Sequence, residues 1–151
     1  MSNLDPASAA RQSRMGLLAK SEPTRLAALM SALPDVPDHT WLRTPEVGAV
    51  MVRGRMGGTG APFNLGEMSV TRCALTLPTG EVGHAYVQGR DKDHATRAAL
   101  IDALMQTTRA EEVRATVLTP LTTEAATYKE ARSAKAAATK VEFFTMVRGE
   151  D

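Results

Sequence analysis

Cysteine occurs once in these 151 residues, as Cys73, so no intramolecular disulfide can form and the chain suits a reducing compartment. An iron–sulfur cluster, which takes several thiolates, cannot be held by this chain alone. Aromatic residues are scarce, with one Trp, two Tyr and three Phe. A core without them must be filled by Leu, Val, Met and the abundant alanine, which lets helices and sheet approach closely. An excess of one charge is missing as well. The 18 basic and 17 acidic residues nearly cancel, which argues against nucleic acid or a membrane surface as a partner. No apolar run nears the roughly 20 residues of a membrane-spanning helix. Met1–Ser21 carries Asp5, Arg11 and Arg14 and lacks the apolar centre of a signal peptide, so a cytoplasmic protein is the expectation. The length suits one domain, 1–151, with a core of its own.

Glycine is concentrated rather than scarce. Five of the 11 glycines lie between Gly54 and Gly66, in Gly54-Arg55-Met56-Gly57-Gly58-Thr59-Gly60-Ala61-Pro62-Phe63-Asn64-Leu65-Gly66-Glu67. Each glycine gives up much backbone freedom on folding, so such density marks a place where the chain turns sharply or comes close to something else. No lysine follows in the position a P-loop needs, and the Rossmann spacing is missing. Two readings stay open. Consecutive amides near Gly57 and Gly58 could cradle an anion, with Arg53 or Arg55 adding charge. Alternatively, the stretch is a tight loop buried against another chain, which is favoured because glycine without a phosphate motif is more often punctuation.

The remaining chain divides into a helical arm, 1–36, and an α+β body, 46–151. Helices are expected over Ala7–Lys20 and from Pro23, the second with a stripe of Leu26, Leu29, Met30 and Leu33 that ends at Pro34. This arm either folds back on its own sheet or docks on a partner. Asp38–Pro45, with Trp41, reads as a connection and Val47–Arg53 as a strand. Met68–Leu77 and Glu81–Gln88 read as a β-hairpin around Pro78-Thr79-Gly80, with a three-residue loop and a left-handed glycine. That loop sets Leu77 against Glu81, Cys73 against Ala85 and Arg72 against Tyr86. It separates a drier face (Thr71, Cys73, Leu75, Leu77, Gly83, Ala85, Val87) from a wetter one (Val70, Arg72, Ala74, Thr76, Val82, His84, Tyr86, Gln88). Asp91 or Asp93 should cap a helix to about Thr107, with Ala98, Ile101, Leu104 and Met105 inward. Val113–Leu118 reads as a short strand, and Thr122 or Thr123 as the cap of an alanine-rich helix to about Lys140. Val141–Val147 reads as a closing strand with Phe143 and Phe144 on opposite faces. The sum is an antiparallel sheet with a central hairpin, covered by helices.

Metal chemistry finds no support, since His39, His84 and His94 fall into no ligand spacing. His84 and His94 read as surface or interface groups. The hairpin register puts Cys73 and His84 on opposite faces, which disfavours a nucleophilic pair. The candidate anion-binding groups are Arg53, Arg55, Gly57, Gly58, Arg72, His84 and Arg148; no catalytic residue can be named.

Several blocks together carry a resemblance: Gly48 to Glu67, Val70-Thr71-Arg72-Cys73, Gly83-His84-Ala85-Tyr86-Val87-Gln88-Gly89-Arg90-Asp91, and Ala137 to Glu150. In this order they resemble PhnG, a subunit family of the bacterial carbon–phosphorus lyase system. The resemblance implies membership of a two-fold symmetric multisubunit complex with I, H, J and L subunits that degrades organophosphonates. It further implies a part in making α-D-ribose 1-methylphosphonate 5-triphosphate, where methylphosphonate displaces adenine from MgATP. An iron–sulfur cluster and S-adenosylmethionine would belong to the J subunit, the nucleosidase chemistry to the I subunit. The chain itself would scaffold or modulate; alternatively it lends arginines to a shared active site.

Overall fold

A computed structural model describes residues 5–140. The described chain runs α1 (Pro6–Lys20), α2 (Pro23–Met30), β1 (Thr40–Arg55), β2 (Pro62–Thr76), β3 (Val82–Gln88), α3 (Lys92–Leu104), α4 (Ala110–Val113) and α5 (Thr119–Ala138). The strands form one antiparallel sheet in the order β1-β2-β3. This is the α+β architecture expected. The segment Val141–Val147 and Arg148 lie outside the described residues.

The hairpin forms in the expected register, with Cys73 opposite Ala85 and Arg72 opposite Tyr86. The Leu77 amide donates to the Glu81 carbonyl at 2.9 Å, and Gly80 takes φ +102°, the left-handed conformation its loop requires. The drier face is the core face. Thr71, Cys73, Leu75, Leu77, Ala85 and Val87 are buried beneath α3. Ala95, Ala99 and Ala103 of α3 are wholly buried, and a Cβ on Gly83 would stand 1.9 Å from the Ala99 carbonyl oxygen. Helix and strand thus meet backbone to backbone, the close packing that a core poor in aromatics implies. On the wetter face Val70 is buried, but His84, Tyr86 and Gln88 are exposed.

The arm folds back on its own body. Leu18, Leu26, Met30 and Leu33 join the core, and α1 and α2 both pack on α3. Asp5 and Glu22 cap the two helices, each accepting from two backbone amides, and each helix starts on proline.

Four expectations are corrected. Residues 40–45 are not a connection: β1 begins at Thr40, where half-buried Trp41 pairs with Leu75, meets His39 edge-on and packs against the core. Pro45 is tolerated because it falls at a register shift of an edge strand. Val113–Leu118 is helical, not a strand. Val113, Val117 and Leu121 recur every four residues and are buried together, so the short apolar run obeys the helical period. Arg114–Leu118 is a π turn that precedes Pro120, whose missing N–H and bulky ring disturb the α ladder there. Thr122 and Thr123 therefore lie inside a helix, donating their hydroxyls back to the Leu118 and Thr119 carbonyls. His94 is not a surface group. It is 3% exposed, and its Nε2 lies 2.8 Å from the Leu18 carbonyl oxygen.

Two elements leave the body. β1 and β2 continue together past Gly48 and Val70 as a two-stranded ribbon that ends in the glycine stretch. On it Met51, Met56, Phe63 and Leu65 are exposed. In α5, Leu121 is the last buried residue, and every residue from Thr122 to Ala138 is exposed.

Candidate functional site

The glycine stretch is the tip of the ribbon. Arg55 closes β1, and Met56–Gly58 make a 3₁₀ turn in which Gly57 and Gly58 take φ +60° and +80°. Only glycine enters that region without strain at two successive positions. The Thr59 and Gly60 amides both donate to the Met56 carbonyl, and Arg55 Nη1 donates to the Gly60 carbonyl at 3.0 Å. Those amides and one face of Arg55 are thus engaged within the turn, while the Gly57 and Gly58 residues stay exposed. Arg53 pairs in register with Asn64 and is exposed, with no hydrogen bond or ion pair among the described residues.

Arg72 and His84 sit elsewhere. Arg72 lies opposite Glu46, seven residues along β1 from Arg53, which separates the two by about 24 Å in a strand. Its Nε donates to Glu46 Oε1 at 2.7 Å, and Arg43 joins the same carboxylate at 3.6 Å. The Arg72 guanidinium holds Glu46 below the usual carboxylate range, chiefly through that hydrogen bond. His84 borders a cavity of about 240 Å³ between α1 and β3, with Gln12, Met15, Gly16 and Tyr86 among its other walls. Beside it, Lys20, Tyr86 and Gln88 rim an open groove floored by Val50, Met68 and Val70. The structure therefore brings Arg53, Arg55, Gly57 and Gly58 together at the tip and leaves Arg72 and His84 apart on the body. Arg148 lies outside the described residues.

Cys73 and His84 do face opposite ways. Burial pushes the Cys73 thiol up to about 11, so it is protonated at neutral pH and a poor nucleophile. No group of three or more His, Cys, Asp or Glu able to hold a metal ion occurs among the described residues.

The strongest electrostatic constellation was not anticipated. Asp102, on α3, is wholly buried. It accepts from Arg11 through Nη2 at 2.7 Å and Nε at 3.1 Å, from Arg14 Nη2 at 3.3 Å, and from the His84 backbone amide at 3.1 Å. Arg11 also donates to the Val82 carbonyl at 2.9 Å. This cluster bolts α1 to α3 and satisfies the outward-facing backbone of β3. The hydrogen bond to Asp102 raises the pKa of Arg11 further. Its sequence signal was a carboxylate at a core-facing position, four residues after Ala98 and three before Met105, matched by arginines three apart on α1.

No described helix is long and apolar enough to cross a membrane. Residues 9–149 match the family model of the phosphonate metabolism protein PhnG. A relative from Rhizobium meliloti (strain 1021), named α-D-ribose 1-methylphosphonate 5-triphosphate synthase subunit PhnG, is 44% identical, the match covering 97% of this chain and 94% of the relative.

Proposed function

The chain belongs to the PhnG family of phosphonate metabolism proteins, and from that premise we propose that it is a supporting subunit of an α-D-ribose 1-methylphosphonate 5-triphosphate synthase. In this reading it helps an assembly to displace adenine from MgATP with methylphosphonate, and does not itself make or break bonds. Its nearest neighbour would be an I-type subunit, with H, J and L subunits in the same cytoplasmic complex. The iron–sulfur cluster and S-adenosylmethionine used later in the pathway would sit in J. The observation that carries the proposal is the 44% identity over nearly the whole chain to a protein named as a synthase subunit.

Physical features support a supporting role. The ribbon and α5 expose apolar side chains, and neither can be stabilised by the chain's own core. Such elements gain most when a neighbouring chain covers them. Asp102 and Glu46 are engaged by arginines, and the buried Cys73 thiol is protonated and a poor nucleophile.

One observation favours the alternative, in which the chain lends arginines to a shared active site. Arg53 is exposed beside a glycine turn and engaged by nothing among the described residues. An arginine so placed could meet a phosphate or phosphonate of substrate held by another subunit.

The test is co-purification with an I-type subunit, followed by an assay of adenine release from MgATP with methylphosphonate present. Supporting action predicts a stable complex and turnover that falls when the chain is omitted. A chain that ignores the I-type subunit and leaves adenine release unchanged would overturn it. Arg53→Gln separates the readings: a supporting subunit keeps turnover, whereas a shared site loses it about 10-fold or more with assembly intact, the scale of one lost charge-assisted contact.

A further inference from the structure

β3 is an edge strand, and α1 runs beside its free edge from Arg11, at Val82, to Lys20, near Gln88. The ladder fixes which backbone groups point towards α1. The Leu77 and Gly89 amides donate to the Glu81 and Ser69 carbonyls, so Gly83, Ala85 and Val87 bond to β2 while Val82, His84 and Tyr86 face outward. Arg11 and Gln106 donate to the Val82 carbonyl, and the His84 amide donates to Asp102. Beyond them the edge is bare. The His84 carbonyl and the Tyr86 amide and carbonyl meet no partner among the described residues.

His84 and Tyr86 border the cavity of about 240 Å³ whose opposite wall is α1. Gln12, Met15, Gly16 and Ala19 form that wall, spaced so that they share one face of the helix. Gly16 is the informative member. A glycine inside a helix is destabilising relative to alanine. A Cβ at Gly16 would meet nothing within 4 Å, so the chain's own packing does not call for glycine there. A side chain would instead take up room in the cavity. The volume is below the roughly 300–1,000 Å³ of sites for drug-sized ligands, which suits a single flat ring system. A strand from another chain fits poorly, because few backbone groups are free and α1 closes the other side.

We infer that the cavity between α1 and β3 is a nucleobase site whose ligand is adenine, free or as the base of a nucleotide. A carbonyl followed two residues on by an amide, on the same side of an extended chain, asks for a donor beside an acceptor on one flat edge. Adenine supplies both: its amino group donates to the His84 carbonyl, and the neighbouring ring nitrogen accepts from the Tyr86 amide. Met15, Ala19 and Ala98 give the ring apolar walls. The choice of adenine over other bases with such an edge rests on the proposed function, in which adenine leaves MgATP. Ala19 and Tyr86 border the adjoining groove as well, so the ribose and phosphates of an intact nucleotide would extend along it towards Lys20.

Adenine titrated into the isotope-labelled full chain, followed by amide NMR, tests this. The Tyr86 and Gly16 signals should move and saturate. Unsubstituted purine has the same shape without the amino donor and should bind about 10-fold more weakly, the scale of one lost hydrogen bond. Gly16→Leu, which fills the cavity, should abolish binding while its urea midpoint stays at or above that of the natural chain; Gly16→Ala should weaken binding with the same midpoint. ATP that binds as adenine does supports the site with the intact nucleotide as its source, and ATP that fails where adenine binds supports it with the released base. The proposal is overturned if adenine moves no signal at millimolar concentration, if purine or hypoxanthine matches it, or if binding survives Gly16→Leu. The measurement needs neither a partner nor turnover. A chain that binds adenine but ignores the I-type subunit would overturn the proposed function alone, and one that joins that subunit but binds no adenine would overturn the site alone.

Discussion

Cys73 shows how position, not residue type, decides chemistry. Its thiol sits 3% exposed on the core face of β2, and burial moves it from an ordinary value of 9.0 to about 11. The neutral thiol is the form that the folded state favours. As pH rises past about 9 the unfolded chain loses its proton first, so stability present below that pH falls until about 11. Two pKa units amount to about 2–3 kcal/mol. Urea midpoints measured between pH 8 and 11 on the natural chain and on Cys73→Ala should converge as pH rises, because the variant lacks this loss. Curves that stay parallel would mean the thiol titrates alike in both states. That Cys73 would face inward was legible from hairpin alternation alone. That His94 would be buried was not, because its partner, the Leu18 carbonyl, lies 76 residues away on α1.

At the level of elements, the attachment of α1 rests on one carboxylate. Asp102 is shared by Arg11, Arg14 and the His84 amide, and it is the only described acid that pairs with either arginine. Asp102→Asn keeps the shape but leaves two partly buried arginines without a countercharge. A loss of about 3 kcal/mol is expected, at the low end for breaking a buried pair because Arg11 retains some solvent contact. Trypsin should then cut after Arg11 and Arg14 well before the sheet opens, whereas a uniform loss of protection would place the cluster elsewhere in the energetics. Which elements could be read in advance follows from their range. The hairpin has a turn of its own and a two-residue period, so its register was legible. The first residues of β1 and of β2 were not, since Thr40–Arg43 are held by pairing with Ala74–Thr76 and Pro62–Glu67 by pairing with Met51–Arg55, and these stretches carry Pro, Gly and Asn that read as loop. Val113–Leu118 satisfied both periods at once, and only burial against α2 and α3 selects the helix. Arg53, Arg55, Gly57 and Gly58 were adjacent in sequence and remain so in space. Arg72 and His84 could not be separated from them until the ribbon was seen to carry the tip outward.

The whole molecule divides into a body that holds itself together and projections that do not contribute to its stability. Substitutions should sort accordingly. Leu75 is wholly buried between the sheet and α3, and Leu75→Ala should cost about 2–5 kcal/mol through lost burial and the cavity left behind. Leu65 on the ribbon and Tyr128 on α5 are 66% and 71% exposed, so Leu65→Ser and Tyr128→Ala should each shift stability by less than about 0.5 kcal/mol. In a subunit shaped to be covered by neighbours, those same two changes should weaken assembly, because truncating a large apolar side chain at a contact costs binding where it cost the isolated fold nothing. The pair of measurements is a denaturant midpoint on the isolated chain and the fraction retained on a tagged I-type subunit. A body residue moves the first, and retention follows only as far as folding fails; a projection residue moves the second alone. If Leu65→Ser and Tyr128→Ala lower the midpoint as Leu75→Ala does, the ribbon and α5 are parts of the chain's own core in solution, and the division between body and projections is wrong.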